Sequence, residues 1–200
     1  MYRKPGIKNP MSTSVLLWSM LALTIFWAVG AYNRLIRLRA RCLESFALLG
    51  QHLLKYSRVT HDHAIRWERA WMRDSLNPSR GVPELWTQLQ SELVVLGLLV
   101  GDAKSARLDA RVGAINEAGN AITSTWGRLR SAPFDLAGAA LPDALVREWD
   151  ENSMNVKVAI DHFNENVAEY NAAVSQFPAK IIGSLFDLKP AGQFSIFNEA

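Results

Sequence analysis

The chain begins with a stretch in which charge disappears, then settles into apolar positions that recur every three or four residues. No charged residue lies between Asn9 and Asn33. The centre of that window is apolar on every helical face, through Val15, Leu16, Leu17, Trp18, Leu21, Leu23, Ile25, Phe26, Trp27 and Val29. A helix needs roughly 20 such residues to cross a hydrocarbon core about 30 Å thick, so residues 11–31 are predicted to be a membrane anchor behind a short tail, 1–10. Past the anchor the pattern becomes one-sided. Leu35, Leu38, Cys42, Phe46, Leu49, Leu53 and Tyr56 form a single stripe on a helix that continues out of the membrane.

Asn77-Pro78-Ser79-Arg80-Gly81-Val82-Pro83 breaks that helix. A second is predicted from about Pro83 to about Arg130, with Leu85, Leu89, Leu93, Leu96, Val100 and Ala103 marking its first half. The run from Leu93 to Val100 is too short to span a bilayer and reads as buried. Gly97, Gly101, Gly113, Gly119 and Gly127 weaken this helix and allow close contact or a bend. Pro133 ends it, and Ser131 to Pro142 reads as a loop. A third helix starts near Pro142-Asp143 and carries the cleanest periodicity, with Val156, Ile160, Phe163, Val167, Tyr170, Val174 and Phe177 in a heptad stripe until Pro178. Ala179 to Leu188 forms a short helix and 189–200 a tail. The fold class is therefore all-α: a transmembrane helix continuing into an elongated antiparallel bundle of about three long helices over 32–188, with coiled-coil-like seams.

A cleaved signal peptide competes with the anchor reading. It would use Arg3, Lys4 and Lys8 as its basic region and Ala28-Val29-Gly30 as its cleavage site. The length of the apolar stretch, and a helical pattern that runs on through Tyr32, favour the anchor. Basic residues flank both ends. Arg34, Arg37, Arg39 and Arg41, then Lys55 and Arg58, slightly outweigh those before the span, which leans toward a cytoplasmic bundle. The net charge of +3 over 200 residues is too small and too dispersed for a nucleic-acid partner. The lone Cys42 excludes an intramolecular disulfide.

Both ends of the chain resemble the LemA family. Tyr32-Asn33-Arg34-Leu35-Ile36-Arg37-Leu38-Arg39 is similar to the family's motif after its membrane helix. Phe163-Asn164, Tyr170-Asn171, Phe177-Pro178, Ile181-Ile182, Leu185-Phe186, Lys189-Pro190 and Phe194 resemble its C-terminal pattern. Gly50 to Arg69 lacks the family's stretches there, and Gly81 to Asp150 is similar only in helical character, so the chain looks like a divergent member. The resemblance implies a single-pass protein of a bacterial inner membrane with a helical bundle. It implies no activity, because the family has no agreed one, although some relatives are associated with organising membranes.

Candidate chemistry is sparse. In His61-Asp62-His63 the two histidines are two apart on a helix and face apart, so they cannot share a metal. Cys42 and His52 are too far apart to join a ligand pair. Asp161, Glu165 and Glu169 align at intervals of four, but His162 and Glu165 run in the reverse order to the Glu-x-x-His of di-iron bundles. A solvated acidic stripe is the simpler reading. Asn164, Asn166 and Asn171 flank the heptad stripe, where asparagine sets helix register. Trp67 and Trp71 lie one turn apart beside Arg66, Arg69 and Arg73, as a packing pair or a partner-binding ridge. No nucleophile elbow, P-loop, dinucleotide glycine pattern or His-Glu-x-x-His occurs. No catalytic residue, metal site or cofactor is expected. The partners expected are the lipid bilayer and a protein, or a second copy of the chain. The function expected is that of a non-enzymatic scaffold or adaptor, with membrane remodelling through the juxtamembrane arginines as the alternative and a bundle metalloenzyme the remotest.

Overall fold

The computed structural model describes residues 10–73, 81–101, 108–131, 141–177 and 179–195, with side chains except those of 10–12, 66–73, 81–83 and 109. The described residues are helical almost throughout: α1 Pro10–Arg73, α2 Gly81–Gly101, α3 Leu108–Ser131, α4 Asp143–Ser175 and α5 Ala179–Leu185. Pro10 opens α1, at a position where its missing N–H costs nothing. At 1.5 Å per residue, its 64 residues extend roughly 96 Å. The helix runs from the apolar segment into the bundle without interruption, and the stripe predicted from Leu35 to Tyr56 is its buried edge, with Leu38 half-buried.

α4 lies antiparallel on α1. Cys42 meets Asn166, Tyr56 meets Ser153 and His63 meets Glu148. The second predicted helix is two helices. α2 ends at Gly101 and α3 returns antiparallel along it, as Gln88 to Thr125 and Arg111 to Val100 show. Arg111 Nη2 donates to the Val100 carbonyl at 3.0 Å, satisfying an acceptor that the helix end leaves free. The same guanidinium lies 4.6 Å over the Phe46 ring. Of the glycines predicted to give close contact, Gly97 faces α1, where a Cβ would stand 3.8 Å from Leu54 Cδ2 in ordinary contact, whereas one at Gly101, Gly113 or Gly127 would meet nothing within 4 Å. The close approach is at Gly50 on α1, where a Cβ would stand 3.0 Å from Val100 Cγ1 on α2. The run Leu93 to Val100 is only partly buried. Leu93 and Leu96 face the core, while Val94, Val95 and Leu98 face outward because about two turns of helix packed on one side cannot hide every side.

α3 and α4 are bridged by large side chains. Trp126 stacks on Trp149 with centroids 4.1 Å apart, and Trp149 in turn contacts Tyr56 at 4.4 Å. Tyr56 Oη donates to Ser153 Oγ at 2.9 Å. Burial pushes the Tyr56 phenol up to about 12, with the Ser153 bond opposing the shift and the Asp150 charge adding to it. The unfolded phenol ionises near pH 10, so this contribution to stability is whole below about pH 10 and disappears as pH rises through about 12. Two pH units correspond to about 2–3 kcal/mol. Unfolding of the full chain in mild detergent from pH 9 to 12 is expected to show that extra loss, and Tyr56→Phe to lack it. Equal slopes for both proteins would refute the assignment.

α4 begins at Asp143 behind Pro142, as the sequence predicts. Its stripe is buried from Val156 to Val174 but stops short of Phe177. The helix ends at Ser175, and Gln176 turns extended with φ −78° and ψ 137°, so the helical period no longer governs Phe177. α5 closes with a Schellman turn, in which Leu188 N donates to the Gly183 carbonyl at 2.8 Å and Asp187 adopts φ 51°. Gly183 is tightly placed: a Cβ there would lie 3.3 Å from the Leu188 carbonyl oxygen.

Candidate functional site

The apolar segment forms the largest exposed hydrophobic surface on the described chain. Val15, Leu16, Leu17, Trp18, Leu21, Leu23, Ile25, Phe26, Trp27 and Val29 are all exposed, from 44% at Trp27 to 82% at Phe26. Among the described residues this is the one helix long and apolar enough to cross a bilayer. Helical hydrogen bonding within the segment keeps its backbone paired, as a hydrocarbon setting requires. The surface changes character at Leu35, the first residue of α1 that is fully buried. Arg34 just before it and Arg37, Arg39 and Arg41 just beyond stand exposed.

The two motif-bearing ends of the chain meet at this level. The Tyr32 ring lies 4.7 Å from that of Phe186. Tyr170 Oη donates to the Lys189 carbonyl at 3.0 Å. Residues 189–195, within the stretch predicted to be a tail, are strapped onto the bundle by asparagines. Asn171 Oδ1 accepts from Ala191 N at 2.8 Å while its Nδ2 donates to the Ala191 carbonyl at 2.9 Å. Asn164 treats Phe194 in the same way, at 2.8 Å for both bonds. Across the gap, Asn116 of α3 accepts from Ser195 N and donates to the Gln193 carbonyl. A carboxamide presents a donor and an acceptor side by side, the same pair that a neighbouring strand offers. Three asparagines thus pair with an extended strap that has no strand beside it.

The strap carries Phe194 into the core, against Phe163 at 5.1 Å and Phe46 at 6.2 Å. It fills the seam between α3 and α4, which the helices themselves leave wide. Asn164 and Asn171 therefore hold the strap and not a neighbouring helix, which corrects the register role expected for them. Asn166 turns back to the His162 carbonyl on its own helix. A register bond does exist at a position that periodicity does not single out. Asn152 is fully buried and its Nδ2 donates to the His52 carbonyl of α1 at 3.1 Å.

Other sequence candidates do not converge. Asn33 and Arg37 are exposed, Leu35 and Phe163 are core, and Phe177 is exposed. Pro178 lies outside the described residues, as do the side chains of Trp67, Trp71, Arg66, Arg69 and Arg73. His61 and Asp62 are exposed, whereas His63 turns inward and lies 3.4 Å from Glu148. Asp161, Glu165 and Glu169 stay on the solvated face, with Glu169 3.9 Å from Arg41. Among the described residues, no three His, Cys, Asp or Glu side chains approach closely enough to hold a metal. The Cys42 thiol is buried, 3.3 Å from the Asn166 carbonyl. Burial raises its pKa, opposed by the backbone hydrogen bond and aided by the Glu169 charge. That is the reverse of the depression that marks a reactive thiolate.

The sequence profile of the LemA family matches residues 103–200. This match takes in α3, α4, α5 and the strap, including the stretch from 103 to 150 that reads from sequence as similar only in helical character. It does not reach Tyr32 to Arg39. No curated protein and no solved structure matches the chain.

Proposed function

The chain belongs to the LemA family through its C-terminal half, and from that premise we propose that it is a single-pass membrane protein whose bundle is a non-enzymatic scaffold for a protein partner or a second copy. The carrying observation is the continuity of α1. One unbroken helix joins the exposed apolar segment to the buried seam, so the bundle is held at a set height and angle to the bilayer. A flexible linker would allow the same domain to search; this one presents fixed faces. The outward side of α2 offers Val94, Val95 and Leu98, neighbouring aliphatics in a region otherwise packed inward. The basic residues after the span slightly outweigh those before it, which favours a bundle on the cytoplasmic side.

Crosslinking in membranes followed by purification of the full chain in mild detergent tests the scaffold. A complex of constant composition is expected, and Leu98→Glu, at an exposed position, should weaken it without unfolding the bundle. Recovery of monomer alone, or a complex indifferent to that charge, contradicts the reading.

A further inference from the structure

The elbow between α4 and α5 carries apolar side chains that the bundle does not use. Phe177 is 82% exposed, Ile181 61%, Leu185 78% and Phe186 53%. Ile181 and Leu185 are four apart and line one side of α5, while Ile182 and Gly183 on the other side pack inward, and Phe177 stands exposed just before the helix. This side sits beside the membrane segment and not on the distal bundle. Phe177 helps line a cleft of about 470 Å³ with Phe26, Trp27 and Gly30 of α1. Phe186 is in ring contact with Tyr32. From Phe26 to Leu35 is about 14 Å along the helix axis. The elbow thus stands level with the end of the charge-free window and the first arginine, where hydrocarbon gives way to head groups.

We propose that the elbow and α5 insert this face into the interfacial layer of the bilayer beside the span, giving the bundle a second membrane contact. This rests on the reading that α1 crosses the bilayer. The apolar face is continuous with the exposed segment through the Phe177–Phe26 cleft, so a lipid phase surrounding one also reaches the other. Interfacial elements bury apolar side chains in the head-group boundary and keep cations on the wet side. Lys180 is exposed on α5 and suits that arrangement, with a stem able to lie along the apolar layer. The Schellman turn at Asp187 then directs the chain away from the membrane and into the strap. The strap, clamped by Asn171 and Asn164, fixes the height of α5 against the bundle.

The test uses the full chain in liposomes of mixed zwitterionic and anionic phospholipid. On a Cys42→Ala background, Leu185→Cys, Ile181→Cys, Phe26→Cys and Met154→Cys are each labelled with an environment-sensitive fluorophore and quenched by lipids brominated at shallow or deep positions. Met154 is exposed on the distal part of α4 and serves as the aqueous reference. The expected result is blue-shifted emission and shallow-lipid quenching at 185 and 181, deep-lipid quenching at 26, and neither at 154. Water-like emission and no quenching at 185 and 181, with 26 still quenched, overturns the insertion while the span survives. Loss of quenching at 26 as well overturns the span, and the insertion with it.

Discussion

Trp149→Ala is expected to destabilise the bundle by about 3–5 kcal/mol, the range for truncating a large buried aromatic. That is a large part of the 5–15 kcal/mol typical of a folded domain. The reason lies in what Trp149 connects. Its ring stacks on Trp126 of α3 and touches Tyr56 of α1, so one side chain joins three helices where α3 and α4 stand too far apart for direct backbone contact. Small residues cannot collapse across that gap, and the cavity persists. Unfolding of the full chain in mild detergent measures the effect against Met154→Ala. Met154 is exposed on the same helix and its truncation should stay within about 0.5 kcal/mol. Comparable losses at the two positions would mean that the aromatic bridge is not what closes the bundle.

The double substitution Asn164→Ala with Asn171→Ala should release the strap. The two side chains supply four hydrogen bonds to the backbone of Ala191 and Phe194. Each backbone group left unpaired and partly buried costs about 1–3 kcal/mol. Together these losses exceed what a short extended segment gains from burying Phe194 alone, about 1.5–3 kcal/mol. Amide exchange is the natural measurement. Protection at Ala191, Phe194 and Ser195 is expected to vanish while that of α1 and α4 persists, since local opening need not unfold the core. Asn171→Asp gives a finer test. It keeps the acceptor for Ala191 N but replaces the donor with a charge that faces a carbonyl, so it should release the strap nearly as well as alanine. Unchanged strap protection in the double variant would show that Phe194 and Tyr170 hold the strap without the clamp.

The sequence shows long-period features well and pairings outside any period poorly. The stripes on α1 and α4 are legible because one buried face imposes a repeat of three and four. Residues 15–29 are legible because they lack a polar face altogether. The division between α2 and α3 is hidden by continuous helix-forming composition. What marks it is a capping contact from Arg111, ten residues beyond Gly101, and such a reach leaves no local signal. The strap is hidden for a related reason. Asn164 and Asn171, seven apart, reveal a shared face, yet an asparagine on a face reads equally as helix register or as backbone clamp. Asn116 and Phe194, which complete the arrangement, belong to no periodic set. Phe177 shows the opposite error, in which a period is extended one step past the end of its helix.

Everything proposed for the bundle depends on α1 carrying the chain across a bilayer, and a two-position accessibility measurement tests that directly. On a Cys42→Ala background, Lys8→Cys and Ser124→Cys place one thiol before the apolar segment and one on the exposed face of α3. Each protein is treated with a membrane-impermeant thiol reagent in sealed right-side-out vesicles, before and after detergent. A spanning helix predicts opposite behaviour: position 8 reacts in intact vesicles and position 124 only after detergent, which also puts the bundle on the cytoplasmic side. The reverse pattern keeps the span and moves the bundle outside. The same behaviour at both positions, or removal of position 8 with a cleaved leader, would contradict the central claim.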